Sequence, residues 1–328
     1  MRSSTLATAA LAVAVLGPAT GIGGPGCDGG AGAPDAAPGD VDAAPAGPID
    51  AAPAGPDAMV CAPDACPWIE SYLREVLGVL TGEQATPAGV TLTARASAAQ
   101  RDATRAYLQH ALGALGLTPE LHVYDTGKNV VVHLPASGGA PGPLVVVGAH
   151  FDGVAAGPAA ADNGTGTAMV LAIARYLAPL PGRTHPVDLV LFDQEEVGLV
   201  GSHFYALDLA TAGTDVEAVH IYDMISFDGD GDRAIELWSP SPALEAAYRA
   251  HAEPRGIPVE AVTFGSSDHQ SFLDRGFTAV GVCEEFVSGD HTPDYHEASD
   301  TFDKIDFAYL TEVTRLAMAI LGDEVTAP

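Results

Sequence analysis

The sequence predicts an α/β domain built on a mainly parallel sheet with helices on both faces. Short β-branched runs alternate with longer segments of helical spacing from about residue 129 onward, and such alternation is typical of parallel sheets covered by helices. The chain has 328 residues, of which 47% are hydrophobic, so its composition allows a large core. No internal repeat and no second folded domain is evident.

Each element is predicted from its own pattern. Helical spacing covers residues 69–80, and a stronger helix is expected over 97–115, with Ser97 as its cap and Gly116 just past its end. The other predicted helices cover 163–177, 202–209, 241–251 and 307–321. The predicted strands are apolar or β-branched runs at 129–134, 144–148, 187–192, 219–222, 259–264 and 279–283.

The first residues have the composition of an export signal. Residues 1–26 carry a positive charge near their start, at Arg2. Their apolar stretch, 5–16, is too short to span a bilayer. Cys27 follows Gly-Pro-Gly, so lipid attachment at this cysteine stays open. We therefore expect an exported protein, either secreted or lipid-anchored at the cell envelope, whose membrane contact is limited to an anchor at Cys27.

A segment rich in Ala, Pro, Gly and Asp follows the signal. Residues 27–66 bury almost nothing and are predicted to form a disordered tether, with the folded domain over 67–328. Cys61 and Cys66 lie near the end of this segment, and a local disulfide between them is plausible in an exported protein. Whether the segment is removed on maturation stays open.

The charge balance excludes some partners. The formal charge is −29, from 43 acidic against 14 basic side chains. Such a chain is repelled by nucleic acid and by anionic membrane surfaces. Neither is expected as a partner.

Possible metal ligands follow the ends of several predicted strands. In parallel α/β sheets, functional sites gather at the carboxyl ends of the strands, so these residues are expected to lie close together. Taken alone, each of these residues also has a simpler explanation, such as a solvated turn or a helix cap. His291 is an alternative to His296 as a ligand. The set is His150, Asp162, Glu196, Asp223 and His296.

Two acids are adjacent at the end of strand 187–192. Glu195 and Glu196 point to opposite sides if the chain stays extended, so one can face a metal and the other a substrate. Zinc accepts imidazole and carboxylate ligands, and a pair of zinc ions can activate water. A carboxylate that binds no metal must take the proton of that water, and Glu195 is the spare acid. Asp152 shares a face with His150 and can fix the tautomer of its imidazole.

Six short motifs along the chain resemble, in kind and in order, those of the M28 family of zinc peptidases. The resemblance is closest to its small secreted bacterial aminopeptidases. The likeness covers roughly residues 68–325. Any one motif is weak, but the six in order are specific. They lie at 148–152, 161–166, 195–202, 223–224, 267–269 and 295–301.

This resemblance implies a single three-layer domain around a mixed, mostly parallel sheet of the phosphorylase/hydrolase type. It also implies two zinc ions per chain. Asp162 would bridge the ions. His150 and Asp223 would complete one site, and Glu196 and His296 the other.

The resemblance also assigns roles to residues that bind no metal. Glu195 would be the general base, Asp152 would support the first histidine ligand, and Tyr295 would stabilise the oxyanion. Two departures from the family pattern stand out. Glu297 follows the second histidine where threonine is common, and Ser266 stands where some members have arginine.

The expected function is that of an exported zinc-dependent aminopeptidase acting on peptides with a free N-terminus. Water activated by the zinc ions and Glu195 would attack the carbonyl of the first residue. A glutaminyl cyclase with one zinc is an alternative, and so is an inactive surface-binding module on its tether. A carboxypeptidase is possible too, although no basic cluster for a substrate carboxylate is evident.

Overall fold

The computed structural model describes residues 61–327. The predicted signal peptide, Cys27 and most of the predicted tether lie outside this range. The described residues form an eight-stranded sheet with the strand order β1-β2-β4-β3-β5-β8-β6-β7. The strands are β1 Glu120–Tyr124, β2 Gly127–Leu134, β3 Leu144–His150, β4 Val187–Phe192, β5 Val216–Tyr222, β6 Ile235–Trp238, β7 Val259–Val262 and β8 Ala279–Cys283.

The sheet is mixed, with its parallel strands at the centre. β4, β3, β5 and β8 run parallel to one another, and β7 runs parallel to β6. The antiparallel pairs are β1 with β2, β2 with β4, and β6 with β8. The centre strands β3, β4 and β8 are buried along their whole length, as expected for strands covered on both faces. The carboxyl ends of these parallel strands open at one edge of the sheet.

Helices cover the two faces and make three layers, which confirms the predicted fold class. The larger core cluster joins one face of the sheet to α1, α3 and α7, with α2 and α5 at its margins. The smaller cluster packs α4 and α6 on the other face. The helices are α1 Ile69–Leu80, α2 Ala98–Ala114, α3 Gly166–Leu177, α4 Val200–Ala212, α5 Pro242–Ala252, α6 His269–Leu273 and α7 Phe307–Thr326.

Sequence patterns located the long elements but missed β1, β6 and the five-residue helix α6. Ser97 caps α2 as predicted, since its side chain accepts a hydrogen bond from the Gln100 N–H. β1 was not predicted because it is a half-exposed edge strand, and β6 was not because it has four residues around a buried Glu236. The strand predicted over 259–264 ends at Val262.

The folded part begins earlier than the predicted boundary at residue 67. Cys61 and Cys66 form the expected disulfide, and residues 63–65 form a short 3₁₀ turn. Cys66 is buried in the larger core cluster, and Asp64 accepts three hydrogen bonds from the Arg255 guanidinium. These contacts attach residues 61–66 to the domain, so they are not part of a free tether. None of the helices among residues 61–327 is long and apolar enough to cross a membrane.

Candidate metal centre

Two strand ends and one irregular turn bring the first group of ligands together. His150 is the last residue of β3, and Asp223 follows β5 directly. The Nε2 atom of His150 lies 3.3 Å from Oδ1 of Asp162 and 3.4 Å from Oδ1 of Asp223. All three side chains are buried. The parallel pairing of β3 with β5 places the two strand ends side by side, so this group follows from the topology of the sheet.

Asp162 lies in a turn that takes the place of the first residues of the helix predicted over 163–177. Residues 160–165 form a π-type turn with non-helical backbone at Asp162 and Asn163, and α3 begins only at Gly166. The helix-cap explanation applies to Asn163, whose Oδ1 accepts a hydrogen bond from the Gly166 N–H. The same side chain donates to the Tyr222 carbonyl and accepts from the Met224 N–H. Asn163 therefore ties the Asp162 turn to the backbone on both sides of the ligand that follows β5.

A second group of ligands lies on the other side of Asp162. The Nε2 atom of His296 is 3.1 Å from Oδ2 of Asp162 and 3.2 Å from Oε2 of Glu196. The two oxygens of Asp162 thus face different histidines. His291, the competing candidate, packs on the Phe286 ring instead and belongs to neither group.

Glu195 and Glu196 lie in a turn after β4, not in extended chain, and their side chains face different partners. Glu196 joins the second group, whereas Oε2 of Glu195 lies 4.0 Å from the His150 imidazole. Asp152 holds the backbone of both: its carboxylate accepts hydrogen bonds from the Glu195 N–H at 3.0 Å and the Glu196 N–H at 3.3 Å. The Nδ1 atom of His150 is 3.5 Å from the same carboxylate. Asp152 therefore orients the turn of the two glutamates as well as facing the imidazole.

The site concentrates negative charge in a buried place. Burial raises the pKa of the Glu195 carboxyl well above its usual value, and the charges of nearby Asp268 and Asp223 add to that rise. Burial and the charge of Asp162 raise the pKa of the Glu196 carboxyl to about 7. Carboxylates that repel one another in this way are stabilised by a bound cation.

The residues present fit zinc. His150 Nε2, Glu196 Oε1 and Asp223 Oδ1 are buried and have no hydrogen-bond partner within residues 61–327. Zinc binds imidazole nitrogen and carboxylate oxygen at about 2.0–2.1 Å, so two ligands of one tetrahedral ion lie about 3.3 Å apart. The separations of 3.1–3.4 Å in both groups match that distance. The donors therefore suit two cations that share Asp162.

A cleft opens over both groups and has one apolar wall. Trp238, Phe264 and Phe286 form this wall, with ring centroids 4.4 Å apart for the first pair and 5.6 Å for the second. Tyr295 lines the cleft and stacks on the His296 ring at 3.8 Å. Burial and the surrounding carboxylates raise the pKa of the Tyr295 hydroxyl, which keeps it protonated and able to donate.

Several supporting residues were not assigned a role from the sequence. The Ser267 hydroxyl donates a 2.7 Å hydrogen bond to Oδ2 of Asp223. Asp300 accepts hydrogen bonds from the Ala161 and Asp162 N–H groups. Both residues lie in recognised motifs, 267–269 and 295–301, but which group a supporting side chain contacts depends on the fold. The aromatic wall carried no sequence signal, because its members lie far apart in the chain, at the end of β6 and in the loops after β7 and β8.

A three-layer α/β domain with imidazole and carboxylate ligands at its strand ends is the architecture of an α/β metallopeptidase. The chain belongs to peptidase family M28, and the model of that family matches residues 129–321. It is 31% identical over 196 residues to leupeptin-inactivating enzyme 1 of Streptomyces exfoliatus, and 28% identical over 210 residues to the probable lipoprotein aminopeptidase LpqL of Mycobacterium tuberculosis. These matches cover 57% and 55% of this chain but 42% of each relative, so the matched region is less than half the length of either.

Solved structures share the fold. The Legionella pneumophila LapA aminopeptidase superposes with a TM-score of 0.67 at 21% identity, over 79% of this chain and 74% of that one. A zinc aminopeptidase from Bacillus subtilis gives 0.56 at 25% identity, over 62% and 51%. Porphyromonas gingivalis glutaminyl cyclase gives 0.64 at 18% identity, over 78% and 98%. The likeness to LapA and to the cyclase shows the fold alone. The family and the Bacillus structure support zinc as the metal of this site.

Proposed function

We propose that this protein is a zinc-dependent aminopeptidase that binds two ions in each chain. The observation that carries the proposal is that the two carboxylate oxygens of Asp162 face different histidines. Its Oδ1 lies near His150 and its Oδ2 near His296. One carboxylate placed between two imidazole groups suits a bridging ligand. His150 and Asp223 would complete one site, and Glu196 and His296 the other. The family and the aminopeptidases among its similar proteins support the activity.

Zinc supplies Lewis acidity at such a site, which lowers the pKa of water and polarises a carbonyl oxygen. Glu195 then acts as general base: it accepts the proton of the attacking water and passes it to the leaving amine. The Tyr295 hydroxyl donates to the oxygen that becomes negative in the transition state.

The walls of the cleft indicate the substrate. Glu195 lines the cleft without being a proposed zinc ligand, so its carboxylate can attract the positive charge of a free α-amino group. The wall formed by Trp238, Phe264 and Phe286 offers apolar contact to the side chain of the first residue. We therefore propose peptides that begin with a large apolar residue, such as Leu or Phe, as the preferred substrates.

A panel of aminoacyl-anilides tests the activity. The purified protein is expected to release Leu- and Phe-anilides faster than Asp- or Lys-anilides, and a chelator should stop this release. Zinc added back after removal of the chelator should restore it. Release from none of the panel, or release that persists in chelator, contradicts the proposal.

Glutaminyl cyclase activity is the second candidate, because the likeness to the Porphyromonas enzyme covers 98% of that chain. A peptide with N-terminal Gln separates the two candidates. A peptidase frees glutamine, whereas a cyclase releases ammonia and leaves a pyroglutamyl peptide of the same length. Zinc content adds a second criterion, since two ions per chain favour the peptidase.

We also propose that the protein is exported and anchored through Cys27. The residues that precede this cysteine have the composition of an export signal, and one relative is named as a lipoprotein. Fractionation of cells that express the full chain tests this. The protein should lie in the membrane fraction, and a Cys27→Ser variant should appear in the soluble exported fraction. Equal distribution of both proteins would contradict an anchor at this position.

A further inference from the structure

Arg95 is a buried cation behind the metal centre. It lies in the connection between α1 and α2, and its side chain is 0% exposed. Its guanidinium donates four hydrogen bonds, all to main-chain carbonyls, and no carboxylate within residues 61–327 forms an ion pair with it. The carbonyls belong to Leu80, Phe151, Pro158 and Ala159, at 3.2, 2.6, 2.5 and 2.8 Å.

Three of these carbonyls belong to the loop that separates two ligands. Phe151 stands between His150 and Asp152, and Ala159 precedes Asp162 by three residues. One planar group therefore holds both ends of the 151–159 loop. This fixes the distance between the end of β3 and the turn that carries the bridging carboxylate. A guanidinium can do this because its donors diverge in one rigid plane, whereas an ammonium is a compact group that cannot reach all four carbonyls.

Asp300 holds the same turn from its amide side. Its two carboxylate oxygens accept hydrogen bonds from the Ala161 N–H at 2.7 Å and the Asp162 N–H at 3.2 Å. The backbone that leads to the bridging ligand is thus bound by a cation at its carbonyls and by an anion at its amides. Ala159, between these two anchors, has a φ of +56°, a left-handed conformation that alanine rarely adopts. Contacts from outside the turn must hold the backbone in this conformation.

We propose that Arg95 is a positioning residue that sets the geometry of the metal centre by holding the 151–159 loop, with Asp300 as its counterpart on the amide side. Neither residue touches the metal or the substrate in this proposal. Both act through the backbone of His150 and Asp162. The inference rests on the proposed two-ion site and adds to it the residues that give Asp162 its place between the two groups.

The test compares Arg95→Lys with Arg183→Lys in the full chain. Arg183 is a matched control, since its buried side chain also binds four carbonyls, those of Pro135, Leu177, Ala178 and Leu180, but away from the site. The chelated proteins are titrated with Co²⁺ and followed by visible absorption, which reports the ligand geometry. Supporting contacts around metal ligands are typically worth about 10- to 100-fold in affinity or activity. We expect Arg95→Lys to weaken Co²⁺ binding by that factor, to change the absorption spectrum and to lower kcat more than it raises KM.

Arg183→Lys should lower the melting temperature and leave the spectrum and the Co²⁺ affinity unchanged. If Arg95→Lys also changes only the melting temperature, it has a purely structural role and the inference is wrong. If Arg95→Lys does not fold, Asp300→Asn decides, because it leaves the buried cation in place and should produce the same spectral change. An unchanged spectrum in that variant overturns the inference. A wild-type chain that binds no Co²⁺ would instead contradict the proposed function.

Discussion

Adjacent carboxylates have different surroundings at the end of β4. Gln194, just before them, has a φ of +67°, so the chain turns sharply there. Asp152 then receives the N–H groups of both Glu195 and Glu196. This arrangement points Glu196 toward His296 and leaves Glu195 beside His150. The division of labour between two identical side chains is therefore set by a strained residue and one buried acceptor.

Glu195→Gln tests that division. The amide keeps the shape of the side chain but cannot accept a proton, so kcat should fall by about 100- to 10,000-fold, the usual contribution of a general base. Zinc content, measured by atomic absorption, should stay at the wild-type level because Glu195 is not a proposed ligand. The exposed Glu297→Gln serves as control and should keep wild-type activity. A Glu195→Gln protein with near-normal turnover would remove this residue from the mechanism.

The ligand candidates could be read from the sequence, but their supports could not. Strand-end residues such as His150 and Asp223 follow apolar runs, and the topology of a parallel sheet brings such ends together. Arg95, by contrast, is one arginine among 14 basic residues, and its four carbonyl partners are defined only after the loop has folded. Every residue has a main-chain carbonyl, so a side chain that binds only carbonyls has no recognisable partner pattern in the sequence.

At the scale of elements, the same contrast appears between central and peripheral strands. β4 and β8 were predicted with their observed bounds, since long buried apolar runs have few alternatives. β6 was not recognised because four residues that include a buried acid do not form an apolar run. Yet Glu236 of β6 supports the cleft. Its carboxylate accepts hydrogen bonds from the Trp238 indole and from the Val287 and Ser288 N–H groups.

Glu236→Gln should therefore disturb the apolar wall of the cleft. The amide nitrogen cannot accept, so at least one of the three donors loses its partner, at a cost of about 1–3 kcal/mol. Trp238 and the segment that carries Phe286 are then held less firmly. We expect KM for Leu-anilide to rise about tenfold, equivalent to about 1.4 kcal/mol, with a smaller change in kcat. Glu260→Gln is the control, because Glu260 also binds Ser288 but is exposed. Equal effects of the two variants would show that the wall does not depend on Glu236.

The last helix, α7, is attached to the sheet by a polar contact that depends on pH. His220 of β5 lies 2.9 Å from the Glu324 carboxylate and 3.0 Å from the Tyr248 hydroxyl. Burial alone would raise the pKa of the Glu324 carboxyl, but the His220 imidazole beside it holds that pKa below its usual value of 4.5. A carboxyl with a lowered pKa stabilises the fold above its ordinary pKa, and this contribution is lost as the pH falls below it.

Glu324→Gln should consequently destabilise the protein at pH 7 by about 1.5–3 kcal/mol, the usual value of a charged hydrogen bond. Its stability should also decline less steeply than that of the wild type below pH 4.5. Urea unfolding of chelated protein at several pH values measures both effects without interference from metal release. Asp323→Asn changes a neighbouring but exposed carboxylate and should leave both quantities close to wild type. A Glu324→Gln curve parallel to the wild-type curve would show that this contact does not titrate.

At the scale of the whole molecule, the charge distribution favours a cation in the cleft. The chain carries a formal charge of −29, and several of its acids are buried around the cleft rather than exposed to water. Without a cation, these carboxylates repel one another in a medium that screens them poorly. The two larger hydrophobic clusters contain none of the proposed metal ligands, so the core should not depend on the metal. The molecule should therefore fold without zinc but be less stable.

Removal of metal measures this dependence. A ligand present at about 1,000 times its dissociation constant stabilises the folded state by about 4 kcal/mol, and for a domain of this size each kcal/mol shifts the melting temperature by about 2–4 °C. A chelator should thus lower the melting temperature by about 10 °C, and excess zinc should restore it. Glu195→Gln should keep the full shift, while Asp162→Asn should lose most of it, since the two carboxylate oxygens of Asp162 face His150 and His296. Identical melting with and without chelator would mean that the acids of the cleft are not held together by a metal.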